Sequence, residues 1–160
     1  MLSGSATLSG MAYGVGRLGS DSRCCRPADP PWDWIDFVDP DHEGVAEIER
    51  WLATLLPFVR EHELGRVEEL MEAAANGMLY ASNDALTPIK PIREDPEIFE
   101  IRHTALSKKL RFYHGEPTSL PTSLIAVHRH IKTSVSQQQA HVEHAADRYE
   151  AGRGSEWESA

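Results

Sequence analysis

Residues 125–132, with the sequence IAVHRHIK, show the strictest alternation of apolar and polar residues in this 160-residue chain. Successive side chains of a β-strand point to opposite faces, so every second residue shares a face. One face carries Ile125, Val127, Arg129 and Ile131, and the other carries Ala126, His128, His130 and Lys132. We therefore expect a strand that buries the first face and presents the second to solvent or to a substrate.

Three further segments alternate in the same way. Residues 98–103 and 109–114 precede the strand at 125–132, and residues 32–38 lie near the N-terminus, where Asp39 and Pro40 close the segment with a turn. The chain from Pro88 to Ile92 is predicted to be extended and to lead into a short acidic turn.

Between the first strand and the later ones, apolar residues recur at 3.6-residue spacing in residues 45–59 and again in residues 64–78. Asp41 is placed to cap the first helix, Pro57 to kink or end it, and Gly77 to stop the second. A last apolar stripe, which includes Tyr149, predicts a helix over residues 136–149. The predicted order is β-α-α-β-β-β-α, an α+β fold.

The composition predicts one folded domain, over residues 32–150. Residues 1–31 lack apolar periodicity and are predicted to form a disordered leader, in which either Met1 or Met11 is the start; residues 151–160 are predicted to be a flexible tail. No apolar run is long enough for a membrane span and no secretory signal is recognisable, so we expect a cytoplasmic protein without a membrane partner. Cys24 and Cys25 lack a second ligand pair, so no metal role is expected for them.

Charge is distributed unevenly along the chain. The formal net charge is -9, and residues 1–100 hold 8 basic and 19 acidic residues. Residues 101–132 reverse this balance with six cations and four histidines against Glu116 alone. Such a segment suits a ligand that carries phosphate.

Several short strings in the predicted strands resemble one known family. They are Trp32 to Phe37 (WDWIDF), Ile89 to Ile92 (IKPI), Phe99 to Arg102 (FEIR), Leu110 to Tyr113 (LRFY) and Val127 to Lys132 (VHRHIK). In this order and spacing they resemble the HigB-like, phage-derived branch of the RelE/ParE toxin superfamily. The resemblance implies a small twisted antiparallel sheet packed on a helical hairpin. It also implies a toxin that cuts messenger RNA on the translating ribosome without a cofactor, and a helix-turn-helix antitoxin as its partner.

RNA cleavage by the 2′-hydroxyl needs a proton acceptor, a proton donor and cations for the phosphoryl oxygens. Arg102 and Arg111 are expected to stabilise the phosphoryl charge, and Arg111 matches the arginine of the family's third strand. Lys109 and Lys132 are expected to hold backbone phosphate. Tyr113 is either a base-stacking residue or a half-buried strand tyrosine.

The histidine pair offers the proton-transfer groups. His128 and His130 project from one face of the predicted strand, and His128 resembles the histidine of the family's last strand. A structural, hydrogen-bonded His128 is the alternative, and a His-x-His metal pair lacks a third ligand at useful spacing, so no metal is expected. Arg111 is alternatively a solvated surface arginine. Tyr149 is expected in the core rather than in catalysis.

Other functions of the same fold remain open. After Lys132 the chain reads Thr133 to Ser136, where related toxins carry more lysines, so the toxin is either active or decayed. The alternatives are a ParE-like inhibitor of DNA gyrase and a catalytically inactive phage or prophage interaction protein. The histidine pair opposite the two arginines favours a nuclease.

Overall fold

The computed structural model describes residues 21–80 and 88–158. A short 3₁₀ turn, Arg23–Cys25, is followed in chain order by β1 (Asp33–Asp36), α1 (Glu43–Ala53), α2 (Pro57–Ala75), β2 (Ile89–Arg93), β3 (Ile98–Ala105), β4 (Lys108–Gly115), β5 (Ser123–Lys132) and α3 (Val135–Gly154). The α+β class and the helical hairpin are as predicted. None of the described helices combines the length and the apolar character needed to cross a membrane.

The strands form one five-stranded sheet in the order β1-β5-β4-β3-β2. β1 runs parallel to β5, and the other neighbours are antiparallel. Two expectations need correction: the sheet is mixed rather than antiparallel, and β2 adds a strand to the predicted order. β2 tolerates Pro91 because it is an edge strand, where a missing N–H leaves no neighbour unpaired. The two strands of the parallel pair are separated along the chain by the helical hairpin and by β2, β3 and β4, so the chain between them is long enough for a crossover connection.

The helical hairpin begins and ends close to the predicted positions. His42, rather than Asp41, caps α1, because its Nδ1 accepts a hydrogen bond from the Gly44 N–H at 2.9 Å. Pro57 occupies the first turn of α2, where no N–H partner is lost. Gly77 adopts a φ of 72°, the left-handed conformation with which glycine ends helices.

Part of the predicted leader belongs to the folded domain. Residues 1–20 lie outside the described residues, but Arg23, Cys24 and Cys25 are buried, and both cysteines join a core cluster with Ala74 of α2. The Arg23 guanidinium donates hydrogen bonds to two carbonyl oxygens of the loop between β4 and β5 and to that of Ser123, the first residue of β5. The domain therefore begins before residue 32.

The predicted tail is also ordered as far as the structure describes it. α3 continues to Gly154, and the Trp157 ring packs edge-on against Phe37 and Tyr149 at centroid distances of 5.7 and 5.1 Å. Tyr149 is buried in the same core cluster, which confirms its predicted place in the core. The tail boundary at residue 151 was therefore wrong, because a single aromatic residue beyond it anchors the chain end.

The strand at 125–132 does not have one buried and one exposed face. Tyr113 pairs with His128 and His114 pairs with Ala126, so Val127 is an extra residue that breaks the alternation. Ile125 and Val127 pack under α3, whereas Ile131 packs against the helical hairpin on the other side. Since helices cover both faces, the expectation that His128 and His130 face solvent is corrected: both side chains are buried.

Candidate functional site

Five basic side chains lie on one face of four adjacent strands, the face on which α3 packs. Residues directly opposite each other on neighbouring strands share a face, and Arg102 lies opposite Arg111 while Lys109 lies opposite Lys132. Lys90 lies opposite Glu100, two residues before Arg102 on the same strand. We call this surface the cationic face: Lys90, Arg102, Lys109, Arg111 and Lys132.

The cationic face contains two pairs of like charges placed directly opposite each other, an arrangement that destabilises a sheet. The Glu100 carboxylate, 1% exposed, lies 4.0 Å from Arg102 and 3.9 Å from Arg111 and compensates part of this charge. Burial and the nearby Arg111 charge lower the pKa of Lys132. A bound anion would relieve the remaining repulsion, which makes this face suitable for phosphate.

The two arginines differ in accessibility. Arg111 is 8% exposed, donates to the Leu110 carbonyl oxygen at 3.0 Å, and has a pKa lowered first by burial. Arg102 is half-buried beside it. Both side chains therefore sit close together at one end of the cationic face, with Lys109 and Lys132 on the next cross-strand row.

Tyr113 lies on the same face but is buried. Its hydroxyl lies 2.9 Å from Nε2 of His130, and the Gln138 amide of α3 reaches both this hydroxyl and the Glu100 carboxylate. Burial raises the pKa of Tyr113. The tyrosine therefore cannot stack on a base in this conformation, and the alternative of a strand tyrosine in the protein interior is the one the structure supports.

His128 and His130 belong to a group of five histidines. His141 and His144 from α3 and His42 from the start of α1 complete it, and we call it the histidine cluster. Ring centroids of His130 and His141 are 3.8 Å apart, and those of His42 and His144 are 4.0 Å apart. Sequence reasoning missed the last three residues; the i, i+3 spacing of the two α3 histidines was the available signal.

A chain of hydrogen bonds runs through the cluster. The Gln137 amide nitrogen lies 3.1 Å from Nε2 of His141, while its amide oxygen accepts from the Thr133 N–H. The His141 proton therefore sits on Nδ1, which donates to Nε2 of His128 at 2.8 Å. This leaves the His128 proton on Nδ1, a buried atom without a hydrogen-bond partner in the described part of the chain.

His128, His130 and His141 of the histidine cluster are neutral at pH 7. Burial, followed by neighbouring histidines, lowers the pKa of His128 to about 2, that of His130 to about 3 and that of His141 to about 4. A proton-transfer group works best with a pKa near the working pH. The structure thus places the two predicted catalytic histidines on the same face as Arg111 and Lys132. The histidines, however, are buried beneath α3 and uncharged.

A second polar cluster lies at the opposite end of the same strands. Nε2 of His114 contacts the Glu116 carboxylate at 2.8 Å and the Cys24 sulfur at 3.6 Å, all three in the domain interior. Burial alone would lower the pKa of His114, but Cys24 and Glu116 raise it to about 10. This histidine is therefore an imidazolium in an internal ion pair, which ties the predicted leader to β4.

A cavity of about 390 Å³ separates the helical hairpin from the other face of the sheet. Its wall is largely apolar and includes Trp34, Trp51 and Phe112, and Glu63 and Arg129 are among its charged groups. Arg129 lies directly opposite Phe112 and therefore on the side of β5 that faces away from the cationic face.

The chain matches no family model, no curated protein and no solved structure.

Proposed function

We propose that the protein is the toxin of a toxin–antitoxin pair and cuts messenger RNA on the ribosome. Supporting this is one observation, the paired cations Arg102 with Arg111 and Lys109 with Lys132 on adjacent rows of one sheet face. A helix-turn-helix antitoxin and a cytoplasmic location belong to the same proposal. Cations in a row along neighbouring strands are well placed to contact successive backbone phosphates of RNA.

The reaction follows from the chemistry of RNA. The 2′-oxygen attacks the adjacent phosphorus, the 2′-O–P bond forms and the P–O5′ bond breaks, while one proton leaves the 2′-hydroxyl and another reaches the 5′-oxygen. Arg102 and Arg111 donate to the non-bridging oxygens as charge develops there. Lys109 and Lys132 hold the neighbouring phosphates, which fixes the RNA in register.

The proton-transfer role passes from the histidines to Lys132 in this proposal. Arginine does not deprotonate in proteins, and His128 and His130 lie under α3 with lowered pKa values. Lys132 is half-buried, lies on the cationic face and has a pKa lowered by burial and by Arg111. As an ammonium it can donate a proton to the leaving 5′-oxygen, while solvent takes the proton of the 2′-hydroxyl.

The burial of both histidines also favours a second candidate, a protein that uses the same surface for binding alone. In that case the cationic face contacts RNA, DNA gyrase or another acidic partner without cutting it, as in an interaction protein of this fold. Cleavage assays separate the two candidates, since only the first breaks a phosphodiester bond.

Cleavage of ribosome-bound messenger RNA, measured by primer extension, provides the test. Arg111→Ala should lower the cleavage rate by about 10²-fold or more, the usual scale for losing a charge-stabilising group. Arg129→Ala is the matched control, because Arg129 lies on the other face of β5. This variant should cleave RNA at the parental rate. Equal loss in both variants, or no cleavage by the parent protein, would reject the nuclease.

RNA binding gives an independent measurement. Four phosphate contacts on a single strand predict that log K falls with log salt at a slope of about -2.8, and a Lys109→Gln/Lys132→Gln variant should halve this to about -1.4. Binding with these slopes but without cleavage would select the binding protein over the nuclease. A slope that the double substitution leaves unchanged would remove the cationic face from either function.

A further inference from the structure

The histidine cluster brings three imidazoles from three separate elements to one point. His42 comes from the start of α1, His128 from β5 and His141 from α3, and one nitrogen of each lies within 4.8 Å of the others. His144 adds a fourth ring, with centroids 4.0 Å from His42 and 4.5 Å from His128. Three imidazoles with a further ligand nearby form the donor set that zinc and related ions take in proteins.

The hydrogen bonds inside the cluster leave donors and lone pairs unused. Nδ1 of His128 and Nε2 of His144 are buried without a hydrogen-bond partner in the described residues. Each buried polar atom left in this state costs free energy. Coordination uses Nε2 of His128, so Nδ1 of that ring keeps its proton, whereas Nε2 of His144 has a lone pair that an ion can engage.

We propose that the histidine cluster binds a divalent transition-metal ion of the zinc class through His42, His128 and His141, with His144 as the fourth ligand. The ion takes the place of the proton between Nε2 of His128 and Nδ1 of His141. That proton moves to Nε2 of His141, which keeps the imidazole neutral and requires the Gln137 amide to turn its oxygen toward this atom. Tetrahedral bonds of about 2.0–2.1 Å place ligand nitrogens about 3.3 Å apart. The 2.8 Å contact therefore opens by about half an ångström.

Gly44 shows that α1 approaches the cluster without room to spare. A Cβ added at this position would lie 2.6 Å from Cε1 of His141 and 3.2 Å from Cβ of His130. His42 also caps α1, because its Nδ1 accepts a hydrogen bond from the Gly44 N–H.

The second polar cluster, formed by Cys24, His114 and Glu116, is less suited to bind a metal ion. Its three groups also lie within 4.8 Å, but they already satisfy one another, because Nε2 of His114 contacts both the Glu116 carboxylate and the Cys24 sulfur. The histidine cluster contains neutral rings and no carboxylate ligand among its described members. A metal bound there joins α1, β5 and α3, and so holds α3 in place over the sheet.

The experiment uses the full chain, freed of metal with a chelator and then titrated with Zn²⁺ or Co²⁺. We expect one ion per chain, a rise in melting temperature, and the visible absorption of tetrahedral Co²⁺. His42→Asn keeps a residue that caps helices and removes only the imidazole. Its Zn²⁺ affinity should fall by about 100-fold or more, since even outer-sphere partners contribute 10- to 100-fold.

His62→Asn is the matched control, because His62 is exposed on α2 outside the cluster, and it should bind Zn²⁺ like the parent. His141→Asn provides a second ligand variant, because His141 is half-buried on α3, and it should also lose the Co²⁺ spectrum. Binding by both ligand variants at parental affinity would overturn the site, as would a parent protein that binds less than one ion per chain. Since neither readout uses RNA, the metal site and the nuclease can fail separately.

Discussion

Stability at alkaline pH should depend on the internal ion pair between His114 and Glu116. His114 is 1% exposed, and its contacts with Cys24 and Glu116 raise its pKa to about 10 from an ordinary 6.5. A histidine whose folded pKa is raised adds stability that is complete below pH 6.5 and is lost as the pH rises through the folded value. The relevant window is therefore pH 6.5 to 10.

The size of the effect follows from proton linkage. Between pH 7 and pH 9 the unfolded chain is largely deprotonated at this histidine while the folded chain keeps its proton. One such group then loses about 2.5 kcal/mol of unfolding free energy over the two pH units. For a domain whose total stability is about 5–15 kcal/mol, the urea midpoint should fall visibly.

Urea unfolding followed by circular dichroism, in reducing buffer with chelator, measures this slope. His114→Asn removes the titrating group, so its stability should be lower at pH 7 but should vary much less between pH 7 and pH 9. Glu116→Gln should give an intermediate slope, because Cys24 still acts on the imidazole. All variants keep both cysteines, so thiol ionisation in the unfolded chain contributes equally to each.

His62→Asn, which changes an exposed histidine, should retain the parental slope. A parental protein that is equally stable at pH 7 and pH 9 would refute the charged ion pair. So would a His114→Asn variant with an unchanged slope, since another group would then account for it.

Two further predictions concern packing that the sequence did not reveal. Arg23→Ala should lower stability by about 3 kcal/mol in a melting or urea experiment, because three carbonyl oxygens lose their donor. The exposed control Arg26→Ala should change it by less than about 0.5 kcal/mol, and equal effects would contradict the buried position of Arg23. Gly44→Ala should destabilise the domain by about 1–3 kcal/mol, because the added methyl group clashes with His141. Gly65→Ala is the control: it has open space around it in α2 and should stabilise the domain by about 0.5–1 kcal/mol. A Gly44→Ala variant as stable as the parent would show that α1 does not approach the cluster this closely.

Local patterns in the sequence identified the helices and most strands because those signals arise within one segment. The spacing over residues 45–59 and 64–78 predicts the hairpin, and Pro57 and Gly77 lie at the start and after the end of α2. The parallel contact between β1 and β5 is not of this kind. It joins residues about 90 positions apart, and no period in either strand specifies the direction of its neighbour.

The candidate site was predictable only in part, for a related reason. Alternation correctly placed Arg111 and Tyr113 on the same face of β4, and His128 and His130 together on β5. It could not indicate that Val127 is an extra residue, nor that α3 folds back over the histidines. Burial depends on how helices and strands pack against each other. A strand covered on both sides can therefore show the same alternation of polar and apolar residues as a strand covered on one side.

The position of α3 divides one sheet face into two chemically different parts. Gln138 near the start of α3 reaches Glu100 and Tyr113, and the cationic residues lie on the open side of this contact while the histidines lie beneath the helix. The first part holds arginines and lysines, of which Lys109 is exposed, whereas burial keeps the imidazoles neutral, so the first part suits phosphate and the second suits a metal ion. An ion bound in the histidine cluster would restrain the position of α3 and therefore of Gln138. Gln138 in turn contacts the Glu100 carboxylate, which partly neutralises Arg102 and Arg111. The two surfaces are therefore expected to influence each other through Glu100, although each binds its own ligand.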